Sequence, residues 1–311
     1  MRLFLLEGNF NLKIEETRRR SKGIQVFAIT PFIDNNGKTI VDEEGIKRNV
    51  NSWVTANIPV VVTCGGVGEL WHLNEEEHFQ VVRTTSEQAS GKIIVIAGVT
   101  GDTESCVNTS RKMEEAGADG VLLFPSESVG TDRQSVIEFY STISKSIEIG
   151  IMPFRIDNTV DVDTVRRLSD LPNMLALKEE SENMDEFEHL VREVGNQVII
   201  AGAGSDQLAP CFLLMGAGAL TSSLANYLPN QLLTMWNSAQ EKDFHNVMKI
   251  QKTLRPIELL RQQFGHRLHK AAMDMIGLSG GATRAPGISP TESDLNNLNQ
   301  YLNELGIITK G

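Results

Sequence analysis

From Gly23 onward the chain alternates between short β-branched runs and longer segments with apolar residues at helical spacing, and no Pro/Gly/Ser-rich linker interrupts the rhythm. Nothing else in the sequence restricts the fold as much. Strands separated by helices must run parallel, and parallel strands need both faces covered. The runs read as strands cover residues 26–29, 60–63, 93–97, 120–124, 149–154, 174–177, 198–201 and 219–221. Between them Val136, Ile137, Tyr140 and Ile143 recur at helical spacing, as do Met184, Phe187, Val191 and Val194. Asp102 or Thr103, and Thr131 or Asp132, read as helix N-caps. Repeated strand–helix units within about 250 residues predict an α/β fold, a closed (β/α)8 TIM barrel, whereas a doubly wound open sheet usually has fewer strands. The barrel is expected over residues 23–240. From 241 to 311 strand signals vanish, and residues 244–263, 267–276 and 292–305 predict a C-terminal helical extension. Residues 1–22 read as an N-terminal leader, partly helical around 13–20, packed on the outside of the barrel.

The 311 residues carry 29 Lys+Arg against 40 Asp+Glu, a formal charge of −11, and no basic stripe beyond Arg18-Arg19-Arg20. Nucleic acid and anionic membrane are therefore not expected partners. A small anionic substrate would need a local cationic site. The apolar start of the chain breaks at Glu7 with no small-residue cleavage site after it, and no run of about 18 apolar residues is present for a membrane span. Cys64, Cys106 and Cys211 are odd in number, far apart and set in apolar or helical segments, which predicts reduced core thiols in a cytoplasmic protein. No zinc spacing is present, the histidines lack ligand spacing, and neither a metal nor a cofactor is expected.

In a barrel of this kind the active site is built at the C-terminal ends of the strands, so the residues there carry the functional reading. Strand one exits at Thr30-Pro31-Phe32. Strand two exits at Cys64-Gly65-Gly66-Val67-Gly68-Glu69, a turn able to point several backbone N–H groups at an anion such as a carboxylate. A tight turn needing positive φ explains one or two of those glycines, and the third favours the anion site. Strand five exits at Phe154-Arg155-Ile156-Asp157-Asn158, strand six at Lys178, and strand seven at Gly202-Ala203-Gly204-Ser205-Asp206. Lys178 ends an apolar run and meets Glu179 and Glu180. It is either the partner of one of these carboxylates or an amine of lowered pKa, free to attack a carbonyl carbon. A desolvated amine beside a carboxylate cradle suits a 2-oxo acid, which presents an acid group and a ketone together. A Schiff base would turn that ketone into an electron sink.

Arg155 would either clamp a distal carboxylate of a second substrate or pair with Asp157. Ser205 and Asp206 read as N-cap residues, with Ser205 also a candidate substrate contact. Tyr227 is either a packing residue or a hydroxyl near the eighth strand exit, and His72 is a surface or packing residue near the pocket mouth. Glu75-Glu76-Glu77 is a solvated helix start.

The segments GIQVFAITPF from Gly23, GGVGE from Gly65, PNMLALKE around Lys178, AGAGSD from Ala201 and GAGALTSSLANYLP from Gly216 together resemble the dihydrodipicolinate synthase and N-acetylneuraminate lyase superfamily, from Gly23 to about Pro290. The resemblance implies a TIM barrel with C-terminal helices, assembly as a homotetramer or homodimer, and Lys178 as the lysine that forms a Schiff base with pyruvate or a related 2-oxo acid. It also implies that the glycine turn holds the 2-oxo acid carboxylate, and that an aldehyde or a sugar acid is the second substrate.

The sequence departs from that pattern in a consistent way. Where the family has tyrosine and asparagine at the strand-five exit, this chain has Phe154-Arg155, so the relay hydroxyl is missing. Gly66 and Val67 replace two threonines, and Ser126-Glu127 follow Pro125 where a tyrosine is usual. These losses argue against authentic dihydrodipicolinate synthesis, since positioned acid–base groups are commonly worth about a hundred- to ten-thousandfold in rate. Three readings remain: a synthase-like lyase or aldolase, a sugar-acid dehydratase resembling the 5-dehydro-4-deoxyglucarate dehydratases with Asp157 or the substrate's own carboxylate moving the proton, and a catalytically weakened binder of 2-oxo acids. Aspartate semialdehyde and deoxy sugar acids separate the first two as second substrates.

Overall fold

The computed structural model describes residues 12–157 and 159–308. Eight parallel strands close into a barrel in the order β1-β10-β9-β8-β7-β6-β5-β4. Their ranges are β1 Gly23–Phe27, β4 Val60–Thr63, β5 Ile94–Gly101, β6 Gly120–Pro125, β7 Gly150–Arg155, β8 Ala176–Glu179, β9 Ile199–Gly202 and β10 Ala219–Ser222. The expected barrel and its C-terminal helices are present. Val60, Val61 and Val62 are all fully buried, because the barrel packs one face of each strand inward and the other against helices. Each such side chain contributes roughly 1.5–3 kcal/mol on burial.

Helices follow the strands: α2 Glu43–Thr55, α3 Glu75–Ala89, α4 Thr103–Glu115, α5 Arg133–Ser144, α6 Val162–Leu168, α7 Met184–Val194, α8 Ala209–Leu214 and α9 Pro229–Gln240. From α2 to α7 each opens on an Asp or Asn whose side chain accepts from a backbone N–H of the first turn. The two uncertain caps resolve to Asp102 and Asp132. Beyond the barrel lie α10 Phe244–Phe264, α11 His266–Met275 and α12 Glu292–Glu304.

Two features differ from the sequence reading. The first strand lies three residues earlier than residues 26–29, because its register is set at Gly23 opposite Ala219 of β10. A hairpin of β2 Phe32–Asn35 and β3 Lys38–Val41 follows it, turning on Asn36 and Gly37, both with positive φ. The N-terminal helix α1, residues 12–20, covers the expected helical stretch and packs where β8 and β5 begin. Arg18 donates to the Met174 carbonyl at 2.9 and 2.6 Å, just before β8, and Arg20 donates to the Gly91 carbonyl at 2.7 Å, just before β5. The leader's first residues, including the stretch read against a signal peptide, lie outside the described residues, as does Asn158. No helix among the described residues is long and apolar enough to cross a membrane.

Candidate active site

Strand geometry decides which exit residues face the barrel interior. Successive side chains on a strand point to opposite sides, so of two neighbours only one can point inward. In the parallel register of β7 and β8, Phe154 lies opposite Lys178 and Arg155 opposite Glu179. The first pair faces inward, where both residues line a cavity of about 800 Å³ at the C-terminal end of the barrel. The second pair faces outward and is buried.

Lys178 therefore sits within β8 and not after it, with its side chain 2% exposed. Its ammonium group contacts the carboxylate of Glu180, which lines the same cavity. Nζ lies 4.6 Å from the centroid of the Phe154 ring and 5.0 Å from that of Phe27. Burial lowers the lysine's pKa to about 7, against the opposing charge of Glu179. Lys178 thus has a carboxylate partner, and burial brings its pKa down to about 7.

The turn after β4 approaches from the other side. Phe27 bridges the two, because a Cβ on Gly65 would stand 2.2 Å from its ring, and the same ring faces Lys178. Gly68 is packed as tightly: a Cβ there would meet the Ala28 carbonyl oxygen at 2.9 Å and the Cys64 amide at 3.1 Å. Cys64 and Glu69, at the two ends of the turn, adopt positive φ, which is costly for non-glycine residues and reflects a tightly wound backbone. The amides of Glu69 and Leu70 are spent on the carbonyls of Gly66 and Gly65 at 3.1 and 3.2 Å. Those of Gly66, Val67 and Gly68 make no hydrogen bond among the described residues, so three donors remain at a turn whose Gly66 lines the cavity.

Thr30 supports this turn from behind: its hydroxyl donates to the Gly68 carbonyl at 2.7 Å and is fully buried. Glu69 looks away from the cavity. Its carboxylate meets Lys270 of α11 at 2.5 Å and accepts from the amides of Arg284 and Ala285 at 2.8 and 2.6 Å.

Arg155 is not at the cavity. Its fully buried guanidinium donates to Glu179 at 2.6 Å, to the Ser181 hydroxyl at 2.9 Å, to Glu186 of α7 at 3.3 Å and, through Nε, to the Val160 carbonyl at 2.8 Å. Strand alternation turns it away from the cavity once Phe154 turns in, so it is not placed as a clamp on a substrate carboxylate, while its charge still reaches Asp157 and helps lower that carboxyl's pKa. Asp157 does line the cavity, accepting from the Thr159 amide at 2.8 Å, with hydrogen bonds from Thr159 holding its carboxyl below the usual carboxylate range.

Ser205 also points elsewhere, its hydroxyl reaching Glu258 of α10 at 3.3 Å while it caps Gln207. Tyr227 is buried with its hydroxyl 3.3 Å from His269 Nδ1, so it does not stand in for the missing relay group. His72 lies on the surface side of the turn, its carbonyl accepting from Arg284 at 3.0 Å. Among the described residues no cluster of His, Cys, Asp or Glu could hold a metal ion.

Sequence reasoning missed Glu180, which it weighed only as a possible ion-pair partner, together with the aromatic walls. The signal for Glu180 was its position two residues after Lys178, on the same side of an extended backbone. Tyr140 of α5 was read as one residue of a packing stripe, yet it lines the cavity and its hydroxyl accepts from the Phe154 amide at 3.4 Å.

Comparison with known proteins places this geometry among relatives. The profile of the Dihydrodipicolinate synthetase family matches residues 20–305. The chain is 28% identical over 289 residues to the 4-hydroxy-tetrahydrodipicolinate synthase of Methanospirillum hungatei, an alignment covering 90% of this chain and 98% of that protein. It is 25% identical over 284 residues to the Bacillus subtilis protein named "Probable 5-dehydro-4-deoxyglucarate dehydratase", covering 89% and 91%. The crystal structure of dihydrodipicolinate synthase from Oceanobacillus iheyensis superposes with a TM-score of 0.85 at 23% identity, covering 94% of this chain and 99% of that one.

Proposed function

Given that the chain belongs to the dihydrodipicolinate synthetase family, we propose that it is a cofactor-independent lyase or aldolase in which Lys178 forms a Schiff base with pyruvate or a related 2-oxo acid. The observation that carries this reading is the placement of the Lys178 amine, enclosed in the cavity with its pKa lowered to about 7. At neutral pH a large share of such an amine is unprotonated and nucleophilic.

In this reading the free amides of Gly66, Val67 and Gly68 hold the carboxylate of the 2-oxo acid, and Thr30 and Glu69 hold the turn. The amine adds to the ketone carbon, and the hydroxyl of the carbinolamine leaves as water to give a protonated imine. Loss of a C3 proton then gives an enamine whose carbon can attack an aldehyde. The reverse sequence cleaves the bond. Glu180 is the group we assign to these proton movements, since it already contacts Lys178 and shares its cavity. Phe154 fills the space of a relay tyrosine without moving a proton. Dehydration of a deoxy sugar acid is a second reading, supported by the likeness to the Bacillus subtilis protein and by Asp157 at the cavity wall. Assembly as a homodimer or homotetramer belongs to the same proposal and is read by sedimentation.

The test is to incubate the protein with pyruvate, reduce with borohydride and map the mass. An adduct on Lys178, absent in Lys178→Arg, with turnover of an added aldehyde or sugar acid is the expected result. An adduct without turnover would leave a 2-oxo acid binder, and no adduct would overturn the imine mechanism.

A further inference from the structure

A cavity of about 800 Å³ is far larger than a three-carbon 2-oxo acid needs, so most of it must serve whatever else binds there. The nature of its wall is therefore a statement about the second substrate. Three aromatic rings form a file from the surface to the amine. Trp71, 60% exposed at the rim, tilts against Phe124 with centroids 6.0 Å apart, and Phe124 meets Phe154 edge-on at 4.9 Å. Phe154 in turn lies 4.6 Å from Lys178 Nζ. Phe139 and Val129 add to the wall, and Ile156, 59% exposed, extends the apolar surface to the rim.

The charges point the same way. Among the described residues lining the cavity, Lys178 is the one Lys or Arg, and it is consumed by the imine. The ionisable side chains that remain at the wall include Glu127, Asp157 and Glu180, all acidic. A second substrate with its own carboxylate would bring like charge to these groups, of which Glu127 and Asp157 are exposed and Glu180 half-buried, with no lysine or arginine other than Lys178 among the described lining residues to meet it. A polyhydroxylated chain would find partners in Thr100, Ser126, Thr131 and Thr159 at the wall, but would set the part of its length beside the ring file against phenyl rings. A flat apolar tail would instead stack on the ring file.

We infer that the acceptor side of this cavity is built for an uncharged aromatic aldehyde, an inference that rests on the imine reading at Lys178. The enamine carbon derived from pyruvate forms a carbon–carbon bond to the aldehyde carbon, and the former carbonyl oxygen takes up one proton. Water then hydrolyses the imine, returns the Lys178 amine and releases a 4-aryl-4-hydroxy-2-oxo acid. The net reaction joins one pyruvate and one aldehyde, with no oxidant or reductant, and runs backward as a cleavage.

The experiment measures kcat/KM of the full-length protein with pyruvate and, as acceptor, benzaldehyde, aspartate semialdehyde or glyceraldehyde, beside the borohydride trap with pyruvate alone. Benzaldehyde should exceed both other acceptors at least tenfold. Ile156→Arg, a substitution at the exposed rim, should move the ratio of aspartate semialdehyde to benzaldehyde upward at least fivefold by supplying the missing cation. Trapping on Lys178 without a preference for benzaldehyde overturns the inference and leaves the imine reading standing. Failure to trap overturns both.

Discussion

Phe154 and Lys178 face each other across the β7–β8 ladder, with the lysine nitrogen 4.6 Å from the ring centroid. A ring there attracts the ammonium form by about 0.5–2 kcal/mol, which offsets part of the burial that drives the proton off. It offers nothing to a proton in flight. In the proposed mechanism that task passes to Glu180, and the consequence is measurable.

Glu180→Gln should slow turnover about a hundredfold or more while leaving the Lys178 adduct trappable, because an amide keeps the shape but cannot exchange protons. Adding Phe154→Tyr to that variant should recover at least about tenfold, since a phenol at this position restores a relay hydroxyl. Steady-state kinetics of the two variants decide it: full activity in Glu180→Gln would remove Glu180 from the mechanism.

The pH dependence follows from the amine. Lys178 has a folded pKa of about 7 against an ordinary value of 10.5. Below pH 7 its amine is mostly protonated, so the rate of pyruvate adduct formation should climb about tenfold per pH unit toward neutrality and flatten above it. Stability moves in the same direction. Between the two values the unfolded chain holds more protons than the folded one, so folding gains with rising pH from about 7 to 10.5. Lys178→Met should accordingly raise the melting temperature over the parent protein more at pH 6 than at pH 9.

Glycine is required in the turn for room and not for positive φ, which falls on Cys64 and Glu69. A methyl group on Gly68 would press on the Ala28 carbonyl and the Cys64 amide, and one on Gly65 would displace the Phe27 ring. Gly65→Ala should raise the KM for pyruvate by about tenfold with the fold intact, because a ring can shift. Gly68→Ala opposes backbone, and should lower stability by about 1–3 kcal/mol in addition. Denaturant melts alongside initial rates separate the two effects.

Arg155 separates a structural role from a substrate-binding one. Removing it strands Glu179, which is 1% exposed, without its principal partner. Arg155→Met should cost about 3–5 kcal/mol of stability, as expected when one half of a buried ion pair is deleted. Wherever the variant remains folded, its KM for the second substrate should be close to that of the parent. A selective rise in that KM would return Arg155 to the binding surface.

The strand–helix rhythm made the barrel legible because parallel strands buried on both faces leave a signature of continuous apolar runs. The hairpin at Asn36-Gly37 was equally written in its dipeptide, a common two-residue turn signal, but a barrel template left no place for it. Lys178 and the glycine turn were readable from residue type at strand exits. Arg155 was not, because a one-residue change in strand parity moves a side chain from the interior to the outer layer, and exit boundaries are the least certain part of any sequence reading. Glu180 was passed over although its spacing from Lys178 carried the signal, and Ser205 lies in the loop after β9, where no strand periodicity fixes its direction. The aromatic file was invisible because Trp71, Phe124 and Phe154 come from three separate exits and meet only in space.

Asp206 provides a test away from the chemistry. Burial, reinforced by the charge of Glu258, raises its pKa to about 7. The folded protein keeps a proton that the unfolded chain releases above about 3.8, so this residue's contribution to stability declines as pH rises from there toward 7. Asp206→Asn, which has no proton to lose, should match the parent near pH 4 and melt about 3–5 °C higher at pH 8. A thermal-shift series across pH checks it.

Glu69 fastens the glycine turn to Lys270 and to the amides of Arg284 and Ala285, residues some two hundred positions further along the chain. Where the turn holds an acid as proposed, pocket and tail share one equilibrium: loosening the last helices detunes the turn, and an acid seated there tightens the last helices. Amide hydrogen exchange around residues 270–285 becomes a remote gauge of occupancy, and a chain shortened past α10 would lose its grip on the ligand before it lost its barrel.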